Sequence, residues 1–457
     1  MKKKIIIVGA GPAGLTTAYK LLKESKDYEV IILERDNKYG GISSSVNLNG
    51  YIVDTGIHRF FSKNKEVNDI WKEILPIQGK PAYDDIKLNR QKKFLEEGPD
   101  PEKEDKCMLI KDRITRIYYG KKFYDYPVSL NMVTIKNLGI INIIKVGISY
   151  FKACIFKKPE TSLENLYINK FGVQLYNMFF KTYTEKVWGI APKEISAEWG
   201  NQRVKGISIK EILKDIIRKA IGRKNNNNTE TSLIESFIYP KLGSIQIWNE
   251  MAHKIKELGG KIYLNCEVKN IVIKNDKVDE VIYEQDGKET KEKTDLFISS
   301  MPVKELFEKI QGEEIPKEIY NIATNLPYRD FMSVCMLVDK MKLKNTTKVK
   351  TLGNILPDSW IYIQEPDVKM GRIQIFNNWS PYIFKNKEDM DKKVLIGIEY
   401  FTSEKEEYWN MSDEEFIKFA KEETQKIGMI DIERSGRCYK NKNTQSISSI
   451  FWYIFAI

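Results

Sequence analysis

Two short apolar runs near the amino end set the pattern. Lys4 to Val8 and Glu29 to Leu33 are rich in β-branched residues and show no polar alternation. Runs of this kind predict strands buried on both faces of a sheet. The stretch Leu15 to Glu24 between them has helical spacing, and a third such run returns at Leu296 to Ser300, closed by Met301-Pro302. Period-two alternation predicts strands at Lys261 to Leu264, Val268 to Ile273 and Val278 to Tyr283, the last two joined around Asn275-Asp276. Ahead of them, Tyr239-Pro240-Lys241-Leu242-Gly243-Ser244 leads into a helix expected from Ile247 to Leu258 and stopped by Gly259-Gly260. Farther on, Ser333 to Val338, Trp360 to Gln364, Arg372 to Phe376 and Val394 to Tyr400 predict an antiparallel sheet. Ser412-Asp413-Glu414-Glu415 then caps a helix through Lys426.

Composition narrows the class. The chain has 457 residues, enough for two or three packed domains, and 42% hydrophobic with 30% charged residues marks it as globular. The net charge of +11 comes from lysines mixed with Glu and Asp, without a basic stripe interleaved with aromatics, so nucleic acid is not the expected partner. Five widely spaced cysteines (Cys107, Cys154, Cys266, Cys335, Cys438) and two histidines argue against a disulfide framework or a zinc site and fit a reducing cytoplasm. Met1 to Leu15 begins like a short signal peptide, but Gly9, Gly11 and Gly14 interrupt its apolar part. Met132 to Phe156 is apolar yet carries Lys136, Lys145 and Lys152, so no window of ~20 residues could span a bilayer. A buried helix pair is the expectation there, with a membrane-surface patch as the alternative. Asn225 to Asn228 is a polar low-complexity loop expected on the surface.

The chemistry concentrates in the first sixty residues. The strand ending at Val8 runs into Gly9-Ala10-Gly11-Pro12-Ala13-Gly14, then the helix, then the second strand, ending at Glu34. Gly9 permits the tight turn, Gly11 lets backbone amides approach a pyrophosphate, and Gly14 lets the helix pack on the strand. The helix start offers unpaired N–H groups to phosphate. Glu34, twenty residues past Gly14, can accept ribose hydroxyls. After Glu34-Arg35 a second glycine turn, Gly40-Gly41, precedes Ser43, Ser44 and Ser45. This added turn resembles the extended motif of amine-oxidase-type flavoproteins and points to FAD rather than NAD.

From these motifs the chain resembles the superfamily of amine oxidases, protoporphyrinogen oxidase, phytoene desaturase and UDP-galactopyranose mutase, up to about residue 430. The resemblance implies that Asp54-Thr55-Gly56-Ile57-His58-Arg59 brings Gly56 and His58 near the flavin ring and that the backbone of Val268 binds adenine. The middle is similar to the mutases specifically, through Tyr119-Gly120-Lys121-Lys122-Phe123, Tyr126-Pro127-Val128-Ser129-Leu130-Asn131, and Tyr183-Thr184-Glu185-Lys186-Val187-Trp188-Gly189. There the resemblance implies nucleotide contacts from Tyr183, Trp188 and Arg203, with Lys205 a weaker stand-in for a second arginine. Trp188 and Tyr183 have plain helix-core packing as the alternative.

The pattern breaks at the end. The superfamily's last glycine-rich segment is missing, and after Ile432 the chain turns polar and irregular before the apolar run Ile450 to Ile457. Read one base later, the codons for Tyr439 to Trp452 can encode a string that resembles the relatives and ends in glycine, so a frameshift or sequencing error is the expectation there. The organisation expected is an α/β chain with a discontinuous Rossmann-like FAD-binding domain (1–90 and 236–305), a mainly helical insertion (91–235), an antiparallel-sheet substrate domain (306–430) and an aberrant tail (431–457). The expected function is an FAD-dependent oxidoreductase that takes hydride from a small-molecule substrate. The alternatives are a mutase-like isomerase of a nucleotide sugar and a degenerate flavoprotein with little activity. No metal and no transmembrane segment are expected, and the oligomeric state is left open.

Overall fold

The computed structural model describes residues 2–56, 58–128, 132–203, 236–431 and 435–448. The chain divides into two compact units. The first comprises Met1–Lys111, Ile238–Pro327 and Ser380–Lys387, and the second Asp112–Phe237, Tyr328–Trp379 and Glu388–Ile457.

The first unit is built on a four-stranded parallel sheet in the order Leu296–Ser299, Lys3–Val8, Tyr28–Leu33, Lys261–Tyr263. In the central strand Ile7 lies beside Ile32 on one neighbour and Ile298 on the other. Side chains alternate across a pleated strand. Ile5 and Ile7 therefore pack with Ala18, Leu22, Ile247, Met251 and Ile255 of the helices Pro12–Glu24 and Ile245–Glu257. Ile6 and Val8 pack the opposite way, with Val268, Val281 and Tyr283 of a second, largely antiparallel sheet. Both faces are covered, which is why this run is apolar at every position from Ile5 to Val8. Each isoleucine buried this way contributes about 1.5–3 kcal/mol relative to exposure. This is the Rossmann-like layer expected from the sequence.

The second unit centres on a seven-stranded sheet in the order Ser435–Ser448, Tyr328–Val338, Val394–Thr402, Arg372–Ile375, Trp360–Ile363, Thr115–Tyr119, Lys122–Asp125. The four strands expected between residues 330 and 402 are all present. Thr115–Tyr119 and Lys122–Asp125 join them from a region read as mainly helical, the first through parallel pairing with Trp360–Ile363. Met332, Val334, Ile396 and Ile398 meet Phe416 and Ala420 of the helix Asp413–Lys426. Ser412 caps that helix reciprocally with Glu415, as its sequence predicts.

Two expectations change. The segment read as irregular after Ile432 forms a strand over Ser435–Ser448, antiparallel to Tyr328–Val338, with residues 449–457 outside the described ones. Ladder bonds come from the backbone, so the open edge of an apolar strand can be paired by a polar segment. The apolar stretch Met132 to Phe156 forms two helices, Met132–Leu138 and Ile140–Ile155, but they are not a buried pair. Within the longer one only Val146 and Ala153 are buried, because its apolar residues outnumber the positions one packing face can cover. No helix among the described residues is long and apolar enough to cross a membrane. Asn225 to Asn228 and Lys205 lie outside the described residues.

Candidate functional site

The glycine turn of the first unit separates into glycines that the protein's own packing demands and one that it does not. Gly9 lies at φ +100°, and a Cβ there would sit 2.2 Å from Ser300 Oγ. A Cβ on Gly14 would sit 1.9 Å from the carbonyl oxygen of Gly9. These two positions exclude any side chain on steric grounds. Gly11 is different, since a Cβ there would meet only Gly41 Cα, at an ordinary 3.9 Å. The chain's own packing would leave space for a Cβ at Gly11, so the bare backbone there leaves room for something else. Immediately beyond it the helix Pro12–Glu24 begins, with Gly11 as its N-cap, no side-chain cap bond and no acidic residue in the first turn. Unpaired N–H groups and the positive end of the helix dipole therefore face that room without competition, a setting suited to a phosphate.

Glu34 closes the other side of the turn. The Ala10 N–H donates to its Oε2 (2.6 Å) and the Asp36 N–H to its Oε1 (2.9 Å). Burial pushes this carboxyl above its ordinary range, and the Asp36 and Ala10 N–H groups pull it back. The Glu34 carbonyl accepts the Cys266 N–H at 2.8 Å, which draws the strand Cys266–Lys274, and with it Val268, to the end of the second Rossmann strand. Val268 is buried, and its carbonyl accepts from Lys309 Nζ.

The second glycine turn is stitched to the first. Gly40 N–H donates to the Ala10 carbonyl (2.9 Å), Ser43 N–H to the Gly40 carbonyl (2.8 Å), and Trp248 Nε1–H to Ser43 Oγ (2.9 Å). Gly40 has φ +98°, and a Cβ on it would lie 2.8 Å from the Ser43 carbonyl oxygen. Gly9, Ala10, Gly11, Pro12, Ala13, Gly14, Glu34, Gly40, Gly41 and Ser43 thus come together in one place. Arg35 turns outward to pair with Glu305 at 3.0 Å. Gly56 and the half-buried His58 follow the strand Tyr51–Asp54. Sequence reasoning missed the group that anchors this strand, Asp54. Its Oδ1 accepts from Ser45 Oγ (2.7 Å) and the Ser244 N–H (3.0 Å), and its Oδ2 from the Tyr239 hydroxyl (2.8 Å). The signal available was an aspartate closing a strand, with a Gly-Ser pair, Gly243-Ser244, elsewhere in the chain. The residues present fit a dinucleotide cofactor: open backbone at Gly11, an uncapped helix start, and a carboxylate fixed at the strand end.

The remaining expected residues belong to the second unit. Tyr183 and Trp188 share the short helix Thr182–Trp188. Trp188 is buried and packs edge-on against Trp199, centroids 5.0 Å apart. Tyr183 stands edge-on to Tyr362 at 5.2 Å, and burial pushes its phenol well up, opposed by the Arg372 guanidinium. Arg203 ends the helix Ala197–Arg203. Two charged groups in this unit went unpredicted. Glu399, fully buried in an otherwise apolar strand, lies directly across from Arg372 in the ladder, pairs with its guanidinium, and accepts from Gln374 Nε2 at 2.6 Å. Lys186 Nζ donates to the carbonyls of Ile363, Glu365 and Met370 at 3.1, 2.8 and 3.0 Å, and burial pushes its ammonium down to about 8. The clue to Glu399 was a lone acid in an apolar strand, which requires a buried partner.

Residues 7–74 match the family of NAD(P)-binding Rossmann-like domains. An uncharacterised protein of the nifH2 3'region of Methanothermococcus thermolithotrophicus is 49% identical over 55 residues, 12% of this chain and 51% of that protein. Coproporphyrinogen III oxidase of Staphylococcus aureus is 31% identical over 74 residues, 16% of each chain. The alignments thus span about half of the first relative and a small part of the second. Over 97% of its length this chain superposes on 84% of reduced UDP-galactopyranose mutase, with a TM-score of 0.72 and 18% identity. At that identity the likeness shows the fold alone, a Rossmann-like layer with further sheets.

Proposed function

We propose that the chain binds FAD without a covalent link and acts as an oxidoreductase on a small molecule. The observation that carries this reading is the open backbone at Gly11, set against Gly41 and the uncapped start of Pro12–Glu24. In this reading the helix start and the Gly11 amide region hold the pyrophosphate, Glu34 accepts a ribose hydroxyl, and the Val268 backbone meets the adenine edge. Bound flavin would supply a two-electron acceptor for hydride from a substrate C–H bond. The second glycine turn and the similarity of a 74-residue stretch to an oxidase favour flavin over nicotinamide. His58 is the side chain proposed to lie near the reacting ring.

A mutase-type isomerisation of a nucleotide sugar would need Trp188 to present its ring to a base. That ring is buried against Trp199, and no observation favours this second reading over the first.

The visible spectrum of freshly purified protein, with the released cofactor identified by mass, tests the proposal. Stoichiometric FAD is the expected result. A colourless protein that FAD cannot reconstitute would sink it and point to a degenerate site. Release of NAD in place of FAD would sink the flavin assignment while keeping the dinucleotide site.

A further inference from the structure

We propose that the exposed face of the helix Ile140–Ile155 docks on the surface of an anionic lipid bilayer. Six large apolar side chains, Ile140, Ile141, Ile144, Ile148, Phe151 and Ile155, are exposed on this helix, Ile140 at 75%, Ile141 at 71% and Phe151 at 66%. At 3.6 residues per turn they fall within an arc of roughly 100°. Phe156, 73% exposed, extends the patch past the helix end. A contiguous stripe of this kind marks an interaction surface, whereas scattered exposed apolar residues need no explanation.

The helix cannot turn this stripe inward, because its opposite side is held. Val146 and Ala153 are buried there, and Ser149 Oγ accepts the Gln174 N–H at 3.0 Å. Gly172 at φ +78° lets the next helix, Leu163–Tyr176, come so close that a Cβ at that glycine would lie 2.8 Å from Tyr150 N. The outward direction of the isoleucines is therefore set by packing within the unit.

Charge decides the occupant. From Tyr126 to Pro159 the chain contains no Asp or Glu, while Lys136, Lys145, Lys152, Lys157 and Lys158 all fall in this stretch. Lys145 and Lys152 are exposed and border the apolar arc. A second copy docked through the same stretch would bring the same lysines and, from that stretch, no acid to pair with them. Anionic headgroups complement the rim while the isoleucines and Phe151 enter the acyl boundary, the arrangement of a helix lying in the interface plane. With no described helix able to span a bilayer, the contact is peripheral and reversible. The inference stands apart from the cofactor reading, since none of these residues belongs to the glycine-turn site.

Flotation of the full-length protein with vesicles tests it. The protein is expected to float with vesicles of phosphatidylcholine plus phosphatidylglycerol at low salt, and to stay behind with phosphatidylcholine alone or at high salt. Combined Ile144→Ser, Ile148→Ser and Phe151→Ser should lower the bound fraction roughly tenfold or more, and combined Lys145→Glu and Lys152→Glu should do the same. Circular dichroism of both variants checks that they fold, and the lipid and salt dependence of the unaltered protein is an independent readout. Absence of flotation with either vesicle, or equal flotation of folded variants, would overturn the proposal. So would a dimer in light scattering that the triple serine variant dissolves while vesicles capture nothing, which would assign the face to a second copy.

Discussion

The glycine turn of the first unit and the Arg372–Glu399 pair of the second both place polar groups against apolar surroundings, by opposite means. In the turn, the polar groups are backbone amides, and absent side chains keep them accessible between residues only a few positions apart. In the sheet, the polar groups are charges, and the fully buried Glu399 is compensated by Arg372, which lies across the ladder 27 positions away, and by Gln374. Loss of one member therefore means different things. A side chain added to the turn intrudes on a space, whereas a side chain removed from the pair leaves a charge in a dry interior.

That contrast can be tested by substitution. Glu399→Ala should destabilise the protein most, by about 3–5 kcal/mol, because Arg372 is left without its partner. Replacing both as Arg372→Met with Glu399→Leu should recover most of that loss in chemical denaturation. A double variant as unstable as the single one would show that the charges do more than neutralise each other.

Asp84 probes buried charge within the first unit itself. Burial alone would raise its carboxyl, but the Lys111 ammonium and Arg90 guanidinium outweigh it and hold the group below its ordinary 3.8. A depressed carboxyl contributes stability that is complete above the unfolded value and is lost as pH falls through the folded one. Asp84→Asn should thus cost about 1.5–3 kcal/mol near neutrality and progressively less on acidification below about pH 4. Equal destabilisation at neutral and strongly acid pH would break the electrostatic account.

The two interior glycines of the turn give the smallest effects and the sharpest separation. Gly14→Ala should lower stability by about 1–3 kcal/mol, because its Cβ meets the Gly9 carbonyl. Gly11→Ala should change the stability of cofactor-free protein little, within about 0.5 kcal/mol, yet weaken cofactor retention measured by absorbance. If Gly11→Ala destabilised the cofactor-free protein as much as Gly14→Ala, the distinction between packing and ligand space would fail.

Where the relevant physics is local, the chain could be read directly. The strand–turn–helix unit from Lys3 to Glu24 and the Ser412 cap follow from residues within one or two turns of each other, so their order and spacing carry the information. Glu34 was recognisable because it ends a strand at a regular distance from Gly14. Asp54 and Glu399 were not, because their partners Tyr239, Ser244 and Arg372 come from distant segments that only sheet and loop packing bring close. Trp188 fits a motif and a core position equally well by sequence, and the structure puts its ring against Trp199.

By itself, then, the sequence determined the Rossmann-like layer, the two glycine turns and the helix caps, because steric exclusion and hydrogen-bond geometry act over a few residues. Tertiary structure decided which apolar residues stay exposed on Ile140–Ile155, which acids find buried partners, and that the polar segment Ser435–Ser448 pairs with Tyr328–Val338. Those outcomes depend on which surfaces and strand edges remain uncovered once the chain has packed, and a hydrophobic pattern along one segment carries no record of what comes to lie beside it.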